Sequence, residues 1–338
     1  MNCSAVYFTA PGRIELREEP VPALGPGEVL VDVLMSAISA GTELLIYRGQ
    51  FPRDLADAND TVSTSLHYPV CYGYACVGLV KKLGDSVDTS WKDRLVFSFQ
   101  PHRSMFVCTP EALIPVPEGI SPRNALFLPN METAVNFVQD AEPLLGECVL
   151  VLGQGIVGLL TTSLLHQFPV QRLVTADRYL LRREAAMGIG VDAALDPTFE
   201  DFQAAARRAL PGTVPAFDLT LELSGNPAAI NDAIALTMFS GRILIGSWYG
   251  EKRAAIDLGG SFHRSRISVI SSQVSSISPK LSTRWTKARR FEVAWAALAR
   301  HQPEKWITHK FPVAEAAEAY RLLDQSPEEA IQVVLDYS

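Results

Sequence analysis

The sequence is short of the features that mark several protein classes. Its 338 residues carry 30 Lys and Arg against 37 Asp and Glu, a formal charge of -7, so a nucleic acid or an anionic membrane finds no basic excess to bind. No polar or repetitive tract is long enough for disorder, and 48% hydrophobic with 20% charged residues is the balance of a folded globular chain. The opening MNCSAVYFTAPGRIEL lacks a basic segment followed by an apolar stretch, so no export signal is read and the cytoplasm is the expected compartment. The uncharged run from Cys148 to Gln167 is as long as a membrane span, but Gly153, Gly155 and Gly158 near one end and two threonines in its middle describe a buried strand, a turn and a buried helix instead.

Cysteine is also scarce. Cys3, Cys71, Cys76, Cys108 and Cys148 are scattered and odd in number, the pattern of reduced thiols rather than a disulfide framework. Cys71 and Cys76 have no second Cys or His pair at zinc-finger spacing, so they are assigned no metal. The one basic cluster, Arg284 to Arg290 with Lys287 and Arg289 between, adjoins Phe291, Val293 and Ala294 and reads as a solvated helix face.

What is present divides the chain in two. From Ala5 to Val33, and again at Val77 to Lys81, Leu95 to Phe99 and Met105 to Val107, short β segments are punctuated by Gly, Pro and Asp. Phe51 to Pro69 is polar and without periodicity, a long loop of the kind that often lines a site. After Pro129 strands alternate with helices: Cys148 to Gly153, Arg172 to Ala176, Ala193 to Leu195, Phe217 to Leu223, Gly241 to Gly246 and Ile267 to Ser271 read as strands, Ile156 to Gln167 and Leu180 to Met187 as helices. That alternation predicts an α/β fold, a doubly wound parallel sheet beside a mainly β domain. The expected boundaries are 126–275 for the parallel-sheet domain, and 1–125 with 276–338 for the other, to which the helical stretches Phe291 to Leu298 and Val313 to Leu323 and the strand Gln332 to Leu335 return.

Gly153-Gln154-Gly155-Ile156-Val157-Gly158 matches G-x-G-x-x-G, follows an apolar strand and opens an apolar helix. Asp177 ends the next strand about 20 residues on, the context that turns a loose pattern into a dinucleotide fingerprint. In such a turn Gly153 permits the bend, Gly155 admits the pyrophosphate and Gly158 lets the helix pack close, while the helix N-terminus offers N–H donors to phosphate. Asp177 would accept the ribose hydroxyls of NAD and repel a 2′-phosphate, whereas Arg178, Arg182 and Arg183 would favour NADP; NAD is the expected cofactor with NADP as the alternative. Ser224, Gly225, Ser247, Trp248 and Ser272 follow later strand ends, where ligands bind in open α/β sheets, and are nominated as cofactor neighbours on position alone.

With this half in place, the remaining text resembles the medium-chain dehydrogenase/reductase family. The resemblance rests on Glu28-Val29-Leu30-Val31, Ser39-Ala40-Gly41-Thr42-Glu43, Pro69 to Val80, Asp93-Arg94-Leu95-Val96 and the closing Trp306 to Phe311 with Ala316 to Tyr320, and it covers essentially the whole chain. It implies a GroES-like catalytic domain beside the Rossmann domain, hydride transfer between NAD(P) and an alcohol or carbonyl small molecule, and a homodimer paired through the last strand of the nucleotide domain. Zinc-dependent members read Cys-Gly-Thr-Asp where this chain has Ala40-Gly41-Thr42-Glu43, and Gly-His-Glu where it has Gly73-Tyr74-Ala75. A third ligand is expected near Leu128 to Asn130, which holds no Cys or His, and Cys108 alone stands where the structural zinc has four cysteines. The resemblance therefore implies no zinc; Gly41-Thr42-Glu43, Phe99-Gln100-Pro101-His102 and Ser271-Ser272-Gln273-Val274 before Arg284-Trp285-Thr286 look most like a side branch that includes the hydroxyethyl-bacteriochlorophyllide dehydrogenases.

A chain without the metal must stabilise the substrate oxygen by hydrogen-bond donors. Thr42 stands where the family places its proton-relaying hydroxyl, and Tyr74 replaces a ligand and could serve as acid. Glu43 and Glu132 could orient these donors or form buried pairs, and His102 could titrate near neutral pH. Two other readings stay open: an NADPH-dependent reductase of quinone or enoyl double bonds, and a dinucleotide-binding protein without turnover.

Overall fold

The structure, a computed structural model, describes residues 1–51 and 67–337. Most of the loop expected between Phe51 and Pro69 lies outside the described residues. These fall into two compact units: one holds the described chain up to Pro129 and from Leu298 onward, the other Asn130–Ala297.

The second unit is built on a six-stranded sheet whose order is Ala193–Leu195, Arg172–Ala176, Cys148–Leu152, Phe217–Glu222, Thr237–Ile245 and Ser268–Ser271. Every neighbouring pair is parallel. Cys148–Leu152 is central because all five of its residues are apolar and buried, as a strand covered by helices on both faces must be. The chain leaves it to one side through Ile156–Leu165 and returns to the other at Phe217–Glu222, which makes its carboxyl end the point where strand order reverses. The strand expected from Gly241 begins at Thr237, because the chain runs through an irregularity opposite Phe217 and Leu219 where Ser240 takes φ +57°. Ser268–Ser271 is the sheet's edge, with Val269 exposed.

The segment 276–297, expected with the first domain, clusters instead with the parallel sheet. The reason is Arg290. The cluster it belongs to was read as a solvated face, and Arg284, Lys287 and Arg289 are indeed exposed, but Arg290 is wholly buried and paired with Glu132.

In the first unit a seven-stranded sheet runs in the order Ile307–Pro312, Gln332–Asp336, Val29–Ile38, Cys76–Leu83, Leu95–Ser98 and Ile114–Pro115, with Met105–Cys108 also paired to Val29–Ile38. A smaller sheet joins Arg13–Pro20, Asn2–Ala10 and Val70–Cys71. Val6, Phe8, Ile38, Leu44, Tyr320 and Leu335 share one core. The short helix Thr42–Tyr47, too brief to show periodicity in sequence, contributes Leu44, Leu45, Ile46 and Tyr47 to that core and buries Glu43 as well. The five cysteines are free, and no described helix is long and apolar enough to cross a membrane.

The tightest packing in the parallel unit is between backbones. A Cβ on Gly158 would lie 2.1 Å from the Gly153 carbonyl oxygen, and one on Gly153, whose φ is +93°, would lie 2.5 Å from the Ser224 Cα. Neither contact can be relieved by turning a side chain. Gly158→Ala is expected to cost about 1–3 kcal/mol by overpacking, read as a lower urea midpoint at unchanged slope.

Candidate active site

At the carboxyl end of the central strand, Gly153 and Gln154 form the turn and Gly155, Ile156, Val157 and Gly158 open the helix Ile156–Leu165. Gly155 brings no capping side chain, so the first N–H groups of this helix face a ligand unobstructed by one. Gln154 itself points inward: its amide donates to the Gly153 carbonyl at 3.0 Å and accepts from Thr162 at 3.0 Å. The sequence pattern could not distinguish this internal strut from a ligand contact.

Asp177 is nearly buried and takes one backbone donor on each oxygen, Gln154 N–H at 2.7 Å and Tyr179 N–H at 2.9 Å. Arg182 Nη1 stands 4.0 Å from its Oδ2, so a cation already faces that oxygen. Of the arginines after it, Arg183 is committed to Asp196 and to the Asp177 carbonyl, both at 2.8 Å. Arg178 and Arg182 flank the Tyr179 ring, 4.6 and 4.8 Å from its centroid.

Among the nominated neighbours at later strand ends, Ser224 is held by Glu222, a fully buried acidic residue that the sequence reading passed over. It accepts from the Ser224 amide at 2.8 Å, from the Ser224 hydroxyl and from the Tyr249 hydroxyl. The Gly225 amide donates to Ser247 at 2.9 Å, and Trp248 next to it is exposed. Ser272 is held from the helix Leu128–Ala141, accepting from Asn136 at 2.9 Å and donating to Asp140 at 2.6 Å.

In the other unit the structure brings four of the five nominated catalytic residues into one neighbourhood. The Tyr74 hydroxyl meets the side chains of Ser39 and Thr42, and burial, with Glu43 adding to it, pushes its pKa up to about 12. Behind this group lies a buried network. His102 and Glu43 are both shielded from solvent; His102 Nε2 stands 2.9 Å from Glu43 Oε2, and its Nδ1 stands 2.7 Å from the Ser36 hydroxyl, which meets Tyr337 at 2.9 Å. Glu43 also accepts from the Ser39 amide at 3.0 Å and from the Tyr320 hydroxyl. One proton arrangement satisfies every member: Tyr337 donates to Ser36, Ser36 to Nδ1, and Nε2–H to the carboxylate. Gly73 makes room for the imidazole, since a Cβ there would fall 2.6 Å from His102 Cδ2.

Glu132 belongs to the parallel-sheet unit, and Arg290 takes its carboxylate at 2.7 Å. Burial pushes the Glu132 carboxyl up, opposed by Arg290. Ser39 and Tyr320 lie in the quoted motifs but were not nominated, and Ser36 and Tyr337 escaped the sequence reading because nothing in their local text marks a contact made across 301 residues. Among the described residues no three His, Cys, Asp or Glu side chains stand together as a metal-binding set.

The two units thus hold different chemistry: a glycine turn whose helix N-terminus has no side-chain cap, and hydroxyl donors backed by a buried carboxyl group. No family model matches the chain. The chain is 30% identical over 270 residues to an L-threonine 3-dehydrogenase of Streptomyces avermitilis, spanning 68% of this chain and 72% of that one. Among solved structures it is similar to an Escherichia coli protein described as a short chain alcohol dehydrogenase complexed with NADH, at TM-score 0.78 and 19% identity over 99% of both chains. A Sinorhizobium meliloti protein described as a zinc-binding dehydrogenase, bound to NADP, aligns at TM-score 0.76 and 17% identity over 99% of both. The glycine turn, the two-unit architecture and this sequence relationship together place the chain in the medium-chain family of threonine and alcohol dehydrogenases.

Proposed function

We propose that this protein is a zinc-independent, NAD-preferring dehydrogenase that interconverts a small-molecule alcohol and its carbonyl. The observation that carries the reading is Tyr74, whose hydroxyl is joined to Ser39 and Thr42 at the position where zinc-dependent relatives place a metal ligand, and which, protonated at neutral pH as any phenol is, can donate a hydrogen bond there. The donor set supports the absence of zinc: Ala40 offers no lone pair, Tyr74 stays a neutral phenol at neutral pH, and the imidazole and carboxylate nearby are engaged with each other. The dinucleotide would be held by the turn Gly153 to Gly158 and by Asp177, and when bound it supplies or accepts the hydride. The chain's own residues then have one task. As negative charge grows on a carbonyl oxygen, Tyr74 donates its proton toward it while Thr42 and Ser39 fix the phenol and can pass a proton back. In the oxidative direction the same hydroxyls receive it.

Asp177 supports NAD over NADP, because a carboxylate at this strand end suits ribose hydroxyls and opposes a 2′-phosphate, with Arg182 Nη1, 4.0 Å from Oδ2, offsetting part of that charge. In a binding titration NADH should bind more tightly than NADPH by roughly tenfold, about 1.5 kcal/mol. The reverse order would mean that Arg178 and Arg182 govern the site.

Purified protein should carry no stoichiometric zinc, and dialysis against a chelator should leave turnover unchanged. One tightly held zinc per chain by elemental analysis would overturn that part of the reading.

Activity is to be sought with a panel of secondary alcohols and ketones, threonine included, with both cofactors. On a substrate so found, Tyr74→Phe and Thr42→Val should each lower kcat about a hundredfold, ~3 kcal/mol of lost oxyanion stabilisation, with NADH affinity nearly unaltered. Near wild-type turnover in both would refute the assignment.

A further inference from the structure

Arg290 has the largest side chain wholly withdrawn from solvent among the described residues. A guanidinium has five N–H donors, and here all five are used. Nε and Nη2 bind Glu132 Oε1 at 3.1 and 2.7 Å, Nη1 binds Asn136 Oδ1 at 2.6 Å and the Ser276 carbonyl at 3.2 Å, and Nη2 also binds the Val274 carbonyl. A buried ion pair gains little net stability, because removing both charges from water costs about what their attraction returns. Its effect is geometric. Two of the five bonds grip the backbone of the segment that follows Ser268–Ser271, the last strand of the parallel sheet.

The same segment is held at its start by the same helix. Glu132, Asn136 and Asp140 recur every four residues along one face of Leu128–Ala141; the first two hold Arg290, and the last two hold Ser272. Asn136 belongs to both sets and couples them. The segment from Ser272 to Ser276 is therefore fixed by side chains at three places, although it lies at the carboxyl ends of the strands, where loops of open α/β sheets are ligand-bearing.

We infer that Arg290, with the stripe Glu132, Asn136 and Asp140, is a positioning device for the cofactor: it sets the 272–276 backbone in the conformation that receives the dinucleotide. This rests on the dinucleotide reading proposed above. Arg290 itself touches no reacting atom and acts through that backbone.

The test compares wild-type protein with Arg290→Lys, using hydrogen exchange of the segment and titration with NADH. A lysine can keep the pair with Glu132 but cannot also fork to two carbonyls. Amides of residues 272–276 should exchange at least about tenfold faster in the variant, while those of the central strand Cys148–Leu152 keep their protection, and NADH affinity should fall by about tenfold. Faster exchange throughout the sheet would mark general destabilisation, and a loosened segment with unchanged NADH affinity would mark a purely structural clamp; either overturns the inference. If Arg290→Lys does not fold, Glu132→Asp, which keeps both charges and shortens the reach, is read in the same way. Wild-type protein that binds neither NADH nor NADPH would defeat the parent reading as well, whereas normal wild-type binding with an unaffected variant defeats the inference alone.

Discussion

A carboxylate taken fully out of water must be met by donors, and in the first unit Glu43 imposes that condition on the rest of the structure. Its partners are one local and two distant: the Ser39 amide just before its own helix, His102 after the strand Leu95–Ser98, and Tyr320 on the helix Ala316–Gln325. Satisfying one charge therefore fixes where the short helix Thr42–Tyr47 begins, how the 99–102 segment crosses it, and why the chain must return after leaving for the parallel sheet. Ser39 carries the constraint outward, since its amide serves Glu43 while its hydroxyl serves Tyr74.

Much of the parallel-sheet unit was legible because its signals are local. Arg172–Ala176, Leu180–Met187 and Ala193–Leu195 are bounded in the structure as the text predicts, since apolar runs, turn residues and the glycine fingerprint all act within a few positions. The first unit was less legible. Its general β character could be read, but Thr42–Tyr47 is under two turns long, and its burial is set by partners hundreds of residues away.

The candidate site divides in the same way. Thr42, Glu43 and Tyr74 could be nominated because a motif carries them, and His102 because of its residue type. Ser36 and Tyr337 had no such flag, being an ordinary strand serine and a penultimate tyrosine whose hydroxyls meet only after folding. Arg290 was misread for a related reason: three neighbouring basic residues do form a solvated face, and only the packing of the helix Lys287–His301 decides which member turns inward. Each unit thus buries a charged residue whose partners lie far from it in sequence, Glu43 with Tyr320 and Arg290 with Glu132.

The backbone contact between Gly153 and Gly158 bears on how a ligand would be received. Because the strand end and the first helical turn already touch, and Asp177 is braced by two amides, the phosphate-binding turn has little conformational freedom left to lose. Ordering a loop of this length from a mobile state costs about 1–2 kcal/mol per residue of backbone entropy. A dinucleotide received at this turn, as proposed above, would therefore dock to a surface whose ordering cost folding has already met, and differences in affinity between dinucleotides would arise from the groups they present rather than from how the turn rearranges around them.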